Sequence, residues 1–125
     1  MARRAAAGPL NGDVALLRAG DLIWVDFNPA LGHEQAGRRP ALIISEEAYN
    51  QQSSFIIVCP VTRSSKLWPF KLALAEGSPI QGQILIDQMK SIDKRRVVSP
   101  PIGKIDGELL SDVRGRLAAL LGLAS

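Results

Sequence analysis

Short runs of aliphatic, β-branched and aromatic residues, each broken within a few positions by Gly, Pro, Asn or Ser, fill the middle of the chain. This pattern predicts strands rather than helices. The run Leu22-Ile-Trp-Val-Asp-Phe27, stopped by Asn28-Pro29, predicts the first. Ala41 to Ile44, Phe55 to Val61, Phe70 to Leu74, Gln83 to Asp87 and Arg96 to Val98 predict the others. Phe70, Leu72 and Leu74 alternate with Lys71 and Ala73, the period of a strand buried on one face. Glu76-Gly-Ser-Pro-Ile-Gln-Gly82 then reads as a hairpin loop. The period changes near the C-terminus, where Asp106 is placed to cap a helix. Leu110, Val113, Leu117 and Leu121 form an apolar stripe there, off which Arg114 and Arg116 fall. Close-set strands without long helices between them predict an antiparallel sheet that must curl or close. The expected fold is mainly β, a small barrel with the C-terminal helix packed on it.

Length and composition keep this to one domain. The chain has 125 residues and a mass of 13.5 kDa, with 46% hydrophobic and 22% charged residues, the profile of an ordinary globular protein. Residues 1–19, rich in Ala, Gly and Arg and punctuated by Gly8-Pro-Leu-Asn-Gly12, read as a flexible N-terminal arm with a short helical turn around Asp13 to Arg18. Residues 20–125 form the domain.

Charge and cysteine usage narrow the chemistry. Fifteen Lys and Arg against twelve Asp and Glu give +3, too little to name a partner. Its location is more informative, since residues 32–96 carry nine basic against six acidic side chains. Cys59, the sole cysteine, lies in the apolar run after Phe55 and reads as a core thiol. With one His and one Cys there is no tetrahedral zinc set, and neither a metal nor a cofactor is expected. No apolar stretch approaches the roughly 20 residues of a membrane helix, and no signal-peptide pattern opens the chain, so a cytoplasmic protein is expected.

The longest polar interruption, Asn28 to Pro40, displays Glu34, Gln35, Arg38 and Arg39 between Pro29, Gly32, Gly37 and Pro40. Loops this long in compact domains are commonly functional. A carboxylate that can take a proton and a guanidinium that can hold a phosphate stand within a few residues of each other, which suits phosphodiester chemistry. Taken alone, the Glu34 and Arg39 pair reads sooner as a surface salt bridge than as an active site, and Thr62 as a routine turn residue at a strand end.

Four motifs in order carry a family resemblance: Gly20-Asp-Leu-Ile-Trp-Val-Asp-Phe27, Gly32-His-Glu-Gln-Ala-Gly-Arg-Arg-Pro40, Cys59-Pro-Val-Thr62, and Asp87-Gln88 with Ser91-Ile92. From about Gly20 to about Leu121 the chain resembles the MazF/PemK family of toxin endoribonucleases. His33 departs from the family pattern, which commonly has a small polar residue there. The resemblance implies an SH3-like barrel with a C-terminal helix and a homodimer. It also implies metal-independent cleavage of single-stranded RNA at short specific sequences, held in check by an antitoxin whose acidic tail occupies the RNA groove. By motif position, Glu34, Arg39 and Thr62 match the family's catalytic Glu, Arg and Thr. The candidate RNA-binding residues are Gln35, Arg38, Arg63, Asp87, Gln88 and Lys90.

Such cleavage proceeds by attack of the 2′-hydroxyl on the adjacent phosphate, leaving a 2′,3′-cyclic phosphate and a 5′-hydroxyl. Arg39 suits stabilisation of the phosphorane, Thr62 a hydrogen bond to phosphate, and Glu34 the role of base, with its pKa raised by apolar neighbours. The leaving-group acid is Arg39 in an unusually tuned site or water; His33 offers an imidazole, the natural acid near pH 7, but departs from the family pattern. Two competing readings exist: a gyrase-poisoning toxin on the same fold, and a non-catalytic RNA-binding barrel. The ending Leu123-Ala124-Ser125 lacks the Trp-Gly-Ile of the gyrase inhibitors, and the joint presence of Glu34, Arg39 and Thr62 disfavours the second. Trp24 reads as core or interface, and Trp68 sits on a Pro-containing loop. The Arg95-Arg96 pair, with Lys90 and Lys94, reads as a solvated face or as phosphate contacts.

Overall fold

The computed structural model describes residues 16–28 and 37–123. Most of the arm expected over 1–19, and His33, Glu34 and Gln35 of the loop, lie outside the described residues. At the arm's end Leu17 is buried in the core.

Among the described residues, seven strands and two helices follow in order: β1 (Asp21–Asp26), β2 (Arg38–Ile43), α1 (Glu47–Gln52), β3 (Phe55–Thr62), β4 (Lys71–Ala73), β5 (Gln83–Leu85), β6 (Lys90–Asp93), β7 (Gly103–Lys104) and α2 (Gly107–Leu120). All their pairings are antiparallel, in the order β4-β5-β3-β2-β1-β7, with β6 also on β3. The sheet curls into a half-barrel for a visible reason. On one edge of β3, Val61 and Thr62 pair with Ile84 and Gln83 of β5, whereas Phe55 to Val58 pair with Asp93 to Lys90 of β6. The 3-10 turn Ile86–Gln88 lies between them and inserts three more residues than an unbroken ladder uses. Extra residues on one strand bend it and raise its twist. A second 3-10 turn, Lys94–Arg96, then swings the chain to β1, where Val97 bridges to Val25.

Curling buries both faces of the central strands. Ile23, Val25, Ile43, Ile56, Val58, Ile92 and Val97 fill one face with Leu17. Leu22, Leu42, Cys59, Val61, Ile84 and Ile86 fill the other, beneath Val113 and Leu117 of α2. Each such side chain contributes roughly 1.5–3 kcal/mol on burial. This two-sided burial explains why β1 to β3 read as nearly continuous apolar runs. The expected alternation of β4 holds: Phe70, Leu72 and Leu74 pack on the second cluster, and the hairpin to β5 forms.

Several boundaries differ from expectation. Arg96 to Val98 is not a strand: Lys94 to Arg96 form the 3-10 turn, capped by Asp93, whose Oδ1 accepts from Arg95 N at 2.8 Å. The strand expected to reach Asp87 stops at Leu85. Arg38 to Pro40, expected in the loop, open β2. Asp106 does cap α2, accepting from Leu109 N at 2.8 Å. Of the stripe, however, Leu121 ends the helix and is 53% exposed. The unexpected α1 is anchored by Asn50, whose buried amide donates to Leu17 O and Ser45 O at 3.0 and 2.9 Å. Among the described residues no helix is long and apolar enough to cross a membrane.

Cys59 is the core thiol expected. Burial pushes its pKa up to about 12, with the Asp87 carboxylate adding to the shift. Only a thiolate attacks alkylating reagents, so iodoacetamide at pH 8 is expected to leave Cys59 unmodified in the native protein and to label it rapidly in guanidinium. Equal labelling rates in the two conditions would show that the thiol is not buried.

Candidate nucleic-acid interface

The ladder between β2 and β3 sets the geometry of the site. Ala41 pairs with Pro60 and Leu42 with Cys59, and the same register carried two residues further brings Arg39 level with Thr62. Residues directly across an antiparallel pair point to the same face, so these two side chains belong to one surface. Arg38 and Arg63 occupy the next position on the other face. β2 begins and β3 ends here, so a concave pocket of about 330 Å³ at the end of the strand pair is lined from both faces, by these four residues together with Trp24, Pro40, Val61, Pro79, Ile80 and Gln81. That volume is at the lower end of small-ligand sites and admits one nucleotide-sized group.

Among the described lining residues there are three arginines and no acid. Fixed positive charge with partly apolar walls favours an anionic occupant. Arg38 and Arg63 are exposed, whereas Arg39 is partly buried and engaged within the fold. Thr62 is 7% exposed, and its hydroxyl oxygen accepts from Ser64 N at 3.1 Å. A hydroxyl that accepts still has its own proton to donate, so Thr62 is oriented by the chain and keeps a donor for a ligand oxygen. Its carbonyl packs against Gly82, at the start of β5.

Asp87, Gln88 and Lys90 do not line this pocket. Thr62 faces Gln83, and Asp87 stands four residues further along, beyond β5 on the 3-10 turn. Its carboxylate accepts from Trp68 Nε1 at 2.8 Å, which fixes an indole that is 51% exposed. Lys90 sits with its Nζ 5.6 Å from the Phe27 ring centroid. Glu34 and Gln35 lie outside the described residues. Of the basic run after β6, Arg95 is held bidentately by Asp93, at 3.0 and 2.8 Å, and these bonds pull the Asp93 carboxyl down to about 2. Lys94 Nζ donates to Asn50 O at 2.8 Å, and Arg96 bonds backbone carbonyls of Asp26 and Asn28. The run ties the fold together rather than presenting three open cations.

Trp24, read from the sequence as core or interface, lines the pocket, as do Pro79, Ile80 and Gln81, which the sequence did not single out. The signal for Trp24 was its register: it pairs with Pro40, beside Arg39. Nothing local marks the hairpin loop carrying the other three as part of the site.

A sequence model of the PemK-like, MazF-like toxins of type II toxin–antitoxin systems matches residues 18–121. The endoribonuclease toxin MazF of Escherichia coli K12 is 40% identical over 103 residues, covering 82% of this chain and 92% of that protein. The crystal structure of MazF from Deinococcus radiodurans superposes with a TM-score of 0.78 at 40% identity, covering 85% of this chain and 96% of the other. A MazE–MazF structure from the same organism gives a TM-score of 0.76 at 39% identity, covering 86% and 97%.

Proposed function

The chain belongs to the PemK-like, MazF-like toxins of type II toxin–antitoxin systems and is an endoribonuclease, and on that premise we propose how it cuts and what it binds. Its substrate is single-stranded RNA, cleaved without a metal at a short specific sequence. The 2′-hydroxyl attacks the adjacent phosphorus, the bond to the 5′-oxygen breaks, and the products carry a 2′,3′-cyclic phosphate and a 5′-hydroxyl.

The pocket shared by Arg39 and Thr62 carries this reading. As the phosphorane forms, negative charge gathers on its equatorial oxygens, and preorganised donors aimed at that charge lower the barrier without reorganising. A planar guanidinium engages two such oxygens at once. Arg39 takes that role on the two non-bridging oxygens, and the Thr62 hydroxyl donates to one of the same pair. Glu34, matched by motif, accepts the 2′-hydroxyl proton. The departing 5′-oxygen takes its proton from water, because a guanidinium does not release one at neutral pH. Arg38 and Arg63 hold flanking phosphates. Gln35 and the more distant set of Asp87, Gln88 and Lys90 contact nucleotides along the strand.

The same basic pocket suits the acidic tail of an antitoxin, and the MazE–MazF structure from Deinococcus radiodurans supports such a partner. The toxin acts as a homodimer in the cytoplasm. The exposed leucines 120, 121 and 123 at the end of α2 give an apolar surface that supports self-association.

Mapping the 5′ ends produced from a long RNA in EDTA tests the reading. Discrete cuts bearing 5′-hydroxyls at one recurring short sequence are expected. Intact RNA, or cuts that need a divalent cation, would overturn it.

A further inference from the structure

Alternate carbonyls from Gly20 to Asn28 face the outer edge of β1, away from β2, where an edge left without partners would be open to water. The row is filled in order. Gly20 O accepts from Ile105 N at 2.9 Å, Leu22 O from Ile102 N at 2.8 Å and Trp24 O from Val98 N at 2.9 Å. Beyond Trp24 no backbone donor follows among the described residues, because the Lys94–Arg96 turn carries the chain off the edge. The Arg96 side chain takes over: its Nη1 donates to Asp26 O at 3.2 Å and also to Asn28 O. One guanidinium supplies the next two rungs of the ladder.

Those carbonyls belong to the neck where β1 and β2 are joined. Across the neck, Phe27 N donates to Gly37 O and Gly37 N to Asn28 Oδ1, each at 2.9 Å, while Asn28 N donates to Asp26 Oδ1 at 3.0 Å. Arg38 and Arg39 follow Gly37 directly. We propose that Arg96 is a positioning residue for the pocket. By holding the Asp26 and Asn28 carbonyls it keeps Asn28 against Gly37, and so fixes where β2 starts and where Arg39 presents its guanidinium. Arg96 touches no substrate. The kinetic consequence rests on the endoribonuclease reading; the structural one rests on the hydrogen bonds alone.

Arg96→Met keeps the length of the stem and removes every donor, whereas Arg96→Lys keeps a donor and the charge. For a short single-stranded RNA, Arg96→Met is expected to lower kcat about tenfold or more, since small misplacements of a reacting group are costly, with KM almost unchanged. Arg96→Lys recovers part of kcat. In RNA-free protein, the Gly37 amide of Arg96→Met should exchange with deuterium about tenfold faster than in wild type, the mark of local opening, while Val98 stays protected. A raised KM with unchanged kcat and a shallower salt dependence would make Arg96 a phosphate ligand and overturn the proposal. Unchanged Gly37 exchange would do the same. If Arg96→Met does not fold, Arg96→Gln, which reaches one carbonyl, decides by the same amide: intermediate exchange supports the clamp and wild-type exchange refutes it. Should wild-type protein cut no RNA, the functional reading falls, and the exchange comparison still decides the clamp.

Discussion

Arg39→Ala is expected to reduce RNA cleavage by on the order of 10²–10³-fold, the usual cost of removing one preorganised donor to transition-state charge, with the fold retained. The loss should fall on kcat, because the donor is needed most where charge accumulates. Fold retention follows from position: Arg39 pairs with Val25 through its backbone, and that ladder survives truncation of the side chain. Arg39→Lys restores the charge but not the two-pronged geometry, so its activity should lie between alanine and wild type. Arg38→Ala and Arg63→Ala provide the contrast. Both side chains are exposed at the pocket rim, where a cation lends affinity rather than rate. Each should raise KM and flatten the log–log salt dependence by about 0.7 for every phosphate that is no longer neutralised, the value for single strands. Circular dichroism controls for folding, and single-turnover cleavage of a defined oligonucleotide measures kcat. Full activity in folded Arg39→Ala would remove Arg39 from the chemistry and leave the pocket a binding surface only.

The strands were legible where composition and tertiary demand agree. Leu22 to Asp26 and Phe55 to Val61 are apolar and β-branched, and both are central in the sheet. Legibility failed where one residue type serves two purposes. Pro40 reads as a strand breaker, so β2 was expected to begin after it. In the fold Pro40 pairs with Trp24 inside the strand, and that places Arg38 and Arg39 on a rigid element rather than in a loop. The run Lys94 to Arg96 failed in another way. Its charges suggest a solvated face, which holds for Arg95, paired locally with Asp93, but Lys94 and Arg96 bond the backbone oxygens of Asn50, Asp26 and Asn28, long-range partners that no local pattern encodes. The candidate site shows the same division. Motif order singled out Arg39 and Thr62, and the β2–β3 register unites them in space. Motif order gave Asp87 and Gln88 as RNA-binding residues apart from these two, and the 3-10 turn carries both beyond β5. Pro79, Ile80 and Gln81 reach the pocket by way of the β4–β5 hairpin, a tertiary fact invisible in their own composition.

Gly82→Ala should be the most damaging small substitution outside the pocket arginines, lowering stability by about 2–4 kcal/mol, within the range for severe backbone and packing faults. Two costs combine there. Gly82 has φ of +135°, a conformation L side chains rarely adopt. A Cβ would also stand 2.4 Å from the Thr62 carbonyl oxygen and 3.0 Å from Val61 Cγ1. The oxygen cannot step aside cheaply, because Thr62 is paired with Gln83, the residue next to Gly82. Gly77, in the same hairpin loop, separates the two costs. Its φ is +85° and nothing lies within 4 Å of an added Cβ, so Gly77→Ala carries backbone strain alone, about 1–2 kcal/mol. Thermal unfolding should therefore rank wild type above Gly77→Ala and Gly77→Ala above Gly82→Ala, with the last losing about 10 °C. Catalysis should separate them further. Only Gly82→Ala presses on Thr62, whose hydroxyl is held in place by the adjoining turn, so its surviving folded fraction should show a reduced kcat while Gly77→Ala cuts at the wild-type rate. Equal melting temperatures for the two variants would mean that β3 yields to the methyl group and that the close approach of Gly82 to Thr62 is not a structural requirement.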